Sequence, residues 1–577
     1  MTRSHSISRK STPRLRPAYR PQPEALEGRR LMSAGGLDPS FGLVGYVTES
    51  PRVETSKSHA SDDGYALQVL ADGSILAAGM SGYVGGGRDF GMIRLTPAGT
   101  LDSSFGTGGK VVTDFFGNVD GIYDTAIQAD GKIVAVGLVV HYIPKKGRTP
   151  AYSNADFGVA RYLPNGTLDP AFGPGGNGKV NTNISTFSDQ QDEARAVAIQ
   201  PDGKIVVGGL SSVVGRLDAS LVRYDASGKL DPSFGQGGKV VTPVGVGNDI
   251  IREIAILPDG KILVVGYATD ANDFQSIFIA RYGADGNLDP TFGPNGTGVT
   301  IASYATAVFA SDMALGSDGS IWVTGSNNAT GTSAGASDLV LARFTPSGAL
   351  DTEFGSSGFV AVDRGGTDDS RAIEIQPDGK IVLAGYTRID VSNGAILARF
   401  LADGTLDPSF GNGGVMIHSF RADLAFRSFV DLAIQADGKF VALGTARSTD
   451  STYDDDFLVA RYLGDPTPVA SPAASLAVAG TAESSHSISP LRATSDAPSP
   501  VRQSLTTAQA RPILDAPLAP PAGPRGGHPR PGPVRRPVLD GLGRSPGDVQ
   551  GLIRLRGRRR AGQSETVDFL RDGLAGS

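Results

Sequence analysis

The stretch Ala196-Val-Ala-Ile-Gln-Pro-Asp-Gly-Lys-Ile-Val-Val-Gly208 decides the fold. Two apolar runs flank Asp202-Gly203. Asp-Gly in that setting is a strong hairpin signal, because a type I′ turn needs positive φ at both central residues. The second run, Ile205-Val-Val207, is apolar at consecutive positions instead of alternating, which predicts a strand covered on both faces. The same hairpin recurs at Gly73, Gly131, Gly260, Gly319, Gly379 and Gly438. One hairpin cannot bury two apolar faces, so the seven must cover one another.

Two further signals sit in register with each hairpin. Upstream and downstream lies Leu-Asp-x-x-Phe-Gly, beginning at Leu37, Leu101, Leu168, Leu230, Leu288, Leu350 and Leu406 in steps of 56 to 67 residues. It is followed by a short strand-like run such as Gly109-Lys-Val-Val-Thr113. After each hairpin comes an Arg-bearing run such as Phe157-Gly-Val-Ala-Arg-Tyr162, its Arg at 94, 161, 223, 281, 343, 399 and 461. With strand A before Asp-Gly, B after it, C carrying the Arg and D in the Gly-Lys-Val run, each repeat holds four strands. Four strands repeated seven times predict an all-β, seven-bladed β-propeller over residues 37–463. An open β-solenoid is the competing architecture, but its coils are shorter and lack the hairpin reversal.

The phase of the repeat predicts how the ring closes. The first strand, around Gly45-Tyr-Val-Thr48, is a D strand with no partners before it, and the last blade, 430–463, has A, B and C but no D. The N-terminal strand is therefore expected to complete the last blade, leaving no free edge.

Gln200-Pro-Asp-Gly-Lys-Ile-Val206, Ala160-Arg-Tyr162 and Leu230-Asp-Pro-Ser-Phe-Gly235 together resemble the delta-60 repeat, a bacterial repeat with a period near sixty. The resemblance spans 37–463 and implies a propeller without an established activity. Separately, Leu26-Glu-Gly-Arg-Arg-Leu-Met-Ser-Ala34 resembles the LEPR-XLL segment near the N-termini of large, surface-directed planctomycete proteins, with Gly28 in place of its proline and Met32 in place of its last leucine. It implies an extracellular or cell-surface bacterial protein.

Composition limits the function. There is no cysteine, which excludes disulfides, thiolate metal sites and a thiol nucleophile. Residues 37–463 hold 31 Lys and Arg against 48 Asp and Glu, whereas 1–36 and 464–577 are both net basic. So acidic a body repels a phosphate backbone, which argues against nucleic acid as partner. No run is apolar for the ~18 residues of a membrane-spanning helix. The basic segment 1–36 and the Pro/Ala/Arg-rich tail 464–577 lack any periodic apolar face and are expected to be disordered.

Repetition separates scaffold from site. An Arg or an Asp present in every repeat serves the blade; the seven strand-C arginines are expected to lie along the repeat Phe and meet the Asp of Leu-Asp-x-x-Phe-Gly. Less regular carboxylates are the metal candidates. Ten residues before the hairpin Asp stand Asp62, Asp120, Asp192, Asp249 and Asp368, with Val308 and Arg427 in the other two repeats. Five residues before the strand-C Arg stand Asp89, Asp156, Asp218, Asp338 and Asp456, and the densest acidic run is Asp454-Asp455-Asp456. The D–A and B–C loops of a propeller emerge on one face, so both sets would meet there, where Ca²⁺ prefers oxygen-rich loops. The competing reading is that these Asp start strands or close Asx turns. His59, His141 and His418 lie in different blades without metal-ligand spacing, which argues against a multi-His centre.

The B–C connection of the second blade, Leu138 to Ala155, is the longest and carries Tyr142, Lys145, Lys146 and Tyr152 as candidate contact residues. The sequence thus points to a non-enzymatic scaffold, without a required cofactor, that binds a protein or glycan at its loop face. The alternative is a propeller hydrolase or lactonase with a carboxylate-bound divalent cation in the central channel, which demands an acidic cluster unlike its repeats.

Overall fold

The computed structural model describes residues 34–52, 61–82, 87–144, 152–185, 191–213, 215–328, 337–389, 392–421, 423–449 and 455–465. Most of the 1–36 segment, including the LEPR-XLL-like stretch up to residue 33, and nearly all of the 464–577 tail lie outside them. Among the described residues every regular element is a β-strand, and these form seven four-stranded antiparallel sheets. Six sheets run A-B-C-D in chain order; the first comprises Asp62–Val69, Ile75–Gly82, Arg88–Leu95 and Lys110–Thr113.

The seventh sheet is built from both ends of the repeat region. Its A, B and C strands are Leu424–Ile434, Phe440–Ser448 and Asp455–Tyr462, and its D strand is Tyr46–Glu49, which pairs Tyr46 with Ala460 and Glu49 with Phe457. Flanking bonds extend the seam: Gly35 N–H donates to Leu463 O, Asp38 N–H to Arg461 O and Arg461 N–H to Gly45 O. The C strand, which would otherwise be an open edge, is thereby covered.

Each blade is apolar on both faces because it is sandwiched. All eight residues of Ile75–Gly82 are buried, and the core lies between sheets. Leu263, Val265, Ile277 and Ile279 of blade 4, for example, pack on Val308, Ala310, Val323, Val340 and Ala342 of blade 5. Full burial of each such Val, Ile or Leu contributes ~1.5–3 kcal/mol, a gain no single blade could obtain.

The hairpin turns differ from the type I′ geometry that Asp-Gly suggests. Only the glycine has positive φ, +80° at Gly73 and +83° at Gly203. Gly203 N–H donates to Gln200 O, and Gln200 N–H to Lys204 O. This is a type I turn followed by a left-handed glycine that forms a bulge, a three-residue connection. Proline fits this turn at three hairpins, where Pro201, Pro258 and Pro377 occupy the first central position with a fixed negative φ that forbids type I′; Ala71, Ala129, Ser317 and Ala436 hold the same position and geometry in the other four.

The repeat Arg, Asp and Phe form one unit seven times over. Arg161 Nε donates to Asp169 Oδ2 at 2.9 Å with its guanidinium carbon 4.5 Å from the Phe172 ring centre; Arg223 repeats this with Asp231 and Phe234. The seventh copy spans the seam, Arg461 with Asp38 at 2.9 Å over Phe41 at 4.6 Å. The unit also joins blades: Arg161 Nη1 donates to Ala226 O and Arg223 Nη1 to Ala284 O, each in the next repeat's turn. A glycine beside each Phe leaves the ring its place. At Gly228, φ +85°, a Cβ would stand 2.7 Å from Phe172.

Candidate functional site: the central channel and the loop face

The A strands line the centre of the ring, and each carries a bulge opposite its B strand. The register skips Tyr65, Tyr123, Arg195, Arg252, Ser311 and Arg371 in blades 1 to 6, and Arg427 and Val430 in blade 7. A bulge leaves its extra residue out of the ladder and re-aims its side chain. Seven equivalent positions thus form a layer of two tyrosines, three arginines, Ser311 and Val430.

Contacts within that layer run from blade to blade. The Tyr65 and Tyr123 rings meet edge-on at 5.1 Å, and the Arg195 guanidinium lies 4.1 Å from the centre of Tyr123. Arg252 lies 5.6 Å from the Tyr267 ring and feels the positive charges of Arg195 and Arg371. Burial, with those two neighbours, lowers the pKa of Arg252. Arg195 is ion-paired with Glu193, and Arg371 with Asp369 at 2.6 Å. Arg252 makes no ion pair among the described residues, and the carboxylate charge it feels is that of Glu193, which Arg195 already holds.

One residue further along each strand lies an acidic layer. The positions are Ala66, Asp124, Ala196, Glu253, Asp312, Ala372 and Asp431, and the carboxylates follow a rule of pairing. Asp124 accepts from Val197 N–H of blade 3 at 2.7 Å, Asp312 from Ile373 N–H of blade 6 at 2.9 Å, and Asp431 from Leu67 N–H of blade 1 at 2.6 Å. Each acceptor therefore reaches into the space beside the alanine of the next blade. It also satisfies an N–H on an inner edge strand that has no neighbouring strand to pair with. Seven is odd, so one member is left over: Glu253 faces a blade whose equivalent residue is Asp312, and its recorded bond is to its own neighbour, Ile254 N–H at 3.0 Å.

Together with Glu374, these carboxylates line a cavity of about 530 Å³. Burial raises Asp124 and Asp312 to about 7, and Glu374 likewise, the last also through the charge of Asp312. Burial, then mutual repulsion, pushes Glu253 and Asp431 well above the ordinary carboxylate range. The cluster is unlike its repeats, the property the hydrolase alternative demands. Its sequence signal was the position six residues before the hairpin Asp, where acid and alanine divide the repeats.

The candidate metal carboxylates lie on the loop face, each at the start of its own A strand. Their oxygens are used to hold loops. Asp62 accepts from Gly82 N–H, Asp120 from Phe115 and Val140 N–H, and Asp249 from Val244 and Gly245 N–H. Asp192 accepts from Ile184, Ser185 and Ser212 N–H, and Asp368 from Arg364 N–H. Asp455 is gripped by Arg427 and Arg447, Asp456 pairs across the sheet with Ala446, and Asp454 lies outside the described residues.

The two carboxylate sets do meet at one place. Asp89, Asp114 and Asp120, from a C strand, a D–A loop and the next A strand, bring carboxylate oxygens within 4.8 Å of one another. Among the described residues this is the one group of three or more acidic or histidine side chains so close. Burial holds Asp120 at about 7, and raises Asp89 against the pull of Arg52.

The long B–C connection of blade 2 is a continued hairpin, Ile133–Ile143 paired with Tyr152–Tyr162. Tyr142 is 57% exposed on it. His141 stands 3.4 Å from Asp156 and 5.4 Å from the ring of Phe116, itself 43% exposed. Tyr152 pairs with Ile143 in the ladder, and Lys145 and Lys146 lie outside the described residues.

Comparison with known proteins agrees with the architecture. A family described as a domain of unknown function (DUF5122) beta-propeller matches residues 70–105, 128–172, 200–234, 257–292, 316–354 and 376–410. The matched unit runs from a hairpin to the next Leu-Asp-x-x-Phe, and its seventh copy is split, with Gly438 at one end of the ring and Phe41 at the other. No curated protein matches the chain. Among solved structures, an ulvan lyase of polysaccharide lyase family PL25 is 10% identical with a TM-score of 0.40, covering 75% of this chain and 95% of its own. Sqt1 from Chaetomium thermophilum is 12% identical with a TM-score of 0.33, covering 70% and 87%. PorZ of Porphyromonas gingivalis is 11% identical with a TM-score of 0.31, covering 67% of this chain and 47% of its own. With six of its seven repeats similar to the DUF5122 propeller family and all seven folded as blades, the chain is a β-propeller repeat protein.

Proposed function

We propose that this protein is a non-enzymatic binding scaffold at the bacterial cell surface or outside the cell, engaging a protein or glycan through its loop face. The observation that carries the reading is the blade 2 hairpin, which continues three strand positions beyond the eight-residue strands of blade 1 and presents Tyr142 at 57% exposure. An exposed aromatic held on a paired hairpin supplies a large contact area. The surface location rests on the resemblance of residues 26–34 to the LEPR-XLL segment. Binding of the intact chain to a glycan array and to surface proteins, compared with a Tyr142→Ala, Phe116→Ala double variant, tests the reading. Capture that falls at least tenfold in the variant supports it; capture indifferent to both substitutions refutes this face as the contact.

The second reading is a metal-dependent hydrolase with its cation in the central channel, where the acidic cluster of Asp124, Glu253, Asp312 and Asp431 is unlike its repeats; the carboxylates that stand within 4.8 Å of one another, Asp89, Asp114 and Asp120, lie instead on the loop face. Calorimetric titration of EDTA-treated protein with Ca²⁺, repeated on Asp312→Asn, separates the two. Heat that disappears in the variant, together with cation-dependent hydrolysis, would favour the enzyme; silence removes it.

A further inference from the structure

Two sets of arginines differ in how Nε is used. In the repeat unit it meets the Asp of Leu-Asp-x-x-Phe-Gly: at Arg94, Arg161, Arg223, Arg281, Arg343 and Arg461 it donates a hydrogen bond, and at Arg399 it lies 2.9 Å from Asp407 Oδ2 as an ion pair. In the channel it has no such partner. Nε of Arg195, Arg252 and Arg371 is buried in all three without a hydrogen-bond partner, and so is the hydroxyl of Tyr123 beside them. Arg195 and Arg371 are charge-balanced by Glu193 and Asp369, so Arg252 leaves one positive charge in surplus. A half-buried guanidinium without an ion pair has donors left for an external anion, and five donors in a planar fork suit an oxyanion.

We infer that the layer of Arg195, Arg252, Arg371, Tyr65 and Tyr123 is a binding site for the acid group of a glycan, a uronate carboxylate or a sulfate ester. Blades 3, 4 and 6 supply the cations and blades 1 and 2 supply ring faces, so one charged sugar meets donors and aromatic walls together. Burial holds the neighbouring acidic layer, Asp124, Glu253, Asp312 and Asp431, above the ordinary carboxylate range, so that it opposes the arginines with less than its full charge. This inference deepens the scaffold reading and rests on it only for the choice of a glycan.

The test is calorimetry on the full chain with a glucuronate oligosaccharide, a sulfated neutral oligosaccharide, the unsulfated oligosaccharide and inorganic phosphate. One of the two acidic sugars binds and the unsulfated neutral one does not; which of them binds identifies the acid. Arg252→Gln weakens that binding at least tenfold, while Arg252→Lys, which keeps the charge and loses the fork, recovers part of it. Arg252→Gln changes the melting temperature little, since its guanidinium makes no ion pair and only a 5.6 Å contact with the Tyr267 ring within the protein. The inference is overturned if neither acidic sugar binds, if phosphate binds and they do not, or if binding survives in Arg252→Gln. A melting temperature several degrees lower in Arg252→Gln would also overturn it, by showing an internal partner. Capture of a neutral glycan on the array, with no acidic sugar bound, would sink this inference and leave the scaffold reading standing.

Discussion

Asp312→Asn separates charge from shape in the channel. Burial holds the Asp312 carboxyl at about 7, against ~3.9 in an unfolded chain. Below ~3.9 both states are protonated and the group has no effect on stability. Between ~3.9 and ~7 the unfolded chain gives up its proton while the folded one keeps it, so stability falls as pH rises and is lowest above ~7. At ~1.4 kcal/mol per tenfold, the loss reaches roughly 4 kcal/mol. Asn removes that loss at a smaller one: Asp312 now accepts from Met313 N–H at 2.6 Å with one oxygen and from Ile373 N–H at 2.9 Å with the other. The amide can serve only one of them, which costs about 1 kcal/mol. Urea unfolding of both proteins at pH 4.5 and pH 8 should find them nearly equal at the lower pH and the variant more stable by roughly 3 kcal/mol at the higher. A variant weaker at pH 8, or a difference independent of pH, would refute a buried, destabilising carboxylate.

Further outcomes follow from the same forces. Hydrogen bonds from Ser233 and the charge of Arg223 outweigh burial at Asp231 and lower it to about 2, so its stabilisation is present above ~3.9 and lost as pH falls toward 2; set against the channel acids, thermal melts across pH should peak near ~4–5 and decline on both sides. Gly228→Ala should cost about 2 kcal/mol or more, because it adds left-handed strain and a Cβ 2.7 Å from Phe172, whereas Gly237→Ala, where nothing lies within 4 Å, should cost about 1 by strain alone; equal losses in denaturant melts would contradict the packing argument. Arg223→Lys keeps the charge but loses the divergent bonds to Asp231, Ser233 and Ala284 and the contact with Phe234, and should lower stability by ~1–2 kcal/mol, read by the same melts.

The parts of the fold that repeat were legible because each copy tests the others. Seven Asp-Gly hairpins fixed the blade count, and the missing D strand placed residues 46–49 on the last sheet. The Arg-Asp-Phe unit was readable because all three residues recur in register. Asp-Gly alone suggests type I′; Pro201, Pro258 and Pro377 one position earlier exclude it in three hairpins, and the four with Ala or Ser there carry no such signal although they adopt the same turn. The channel stayed hidden for a different reason. A bulge in every A strand shifts the alternation of inward and outward residues by one, so Arg252 and Glu253, adjacent in sequence, both belong to the central layers. No simple period-2 reading places them there. The loop-face carboxylates were visible in sequence, but their bonds to loop N–H groups belong to backbone geometry that sequence spacing does not encode.

The closing of the ring can be tested by removing residues 37–49 and following thermal unfolding and light scattering. Loss of the fourth strand from the last sheet exposes the edge of Asp455–Tyr462 and deprives Arg461 of Asp38. The shortened chain should melt several degrees lower and associate, and a peptide carrying the missing segment should restore both properties. A truncated chain that melts with the parent and stays monomeric would contradict a ring fastened by its own beginning.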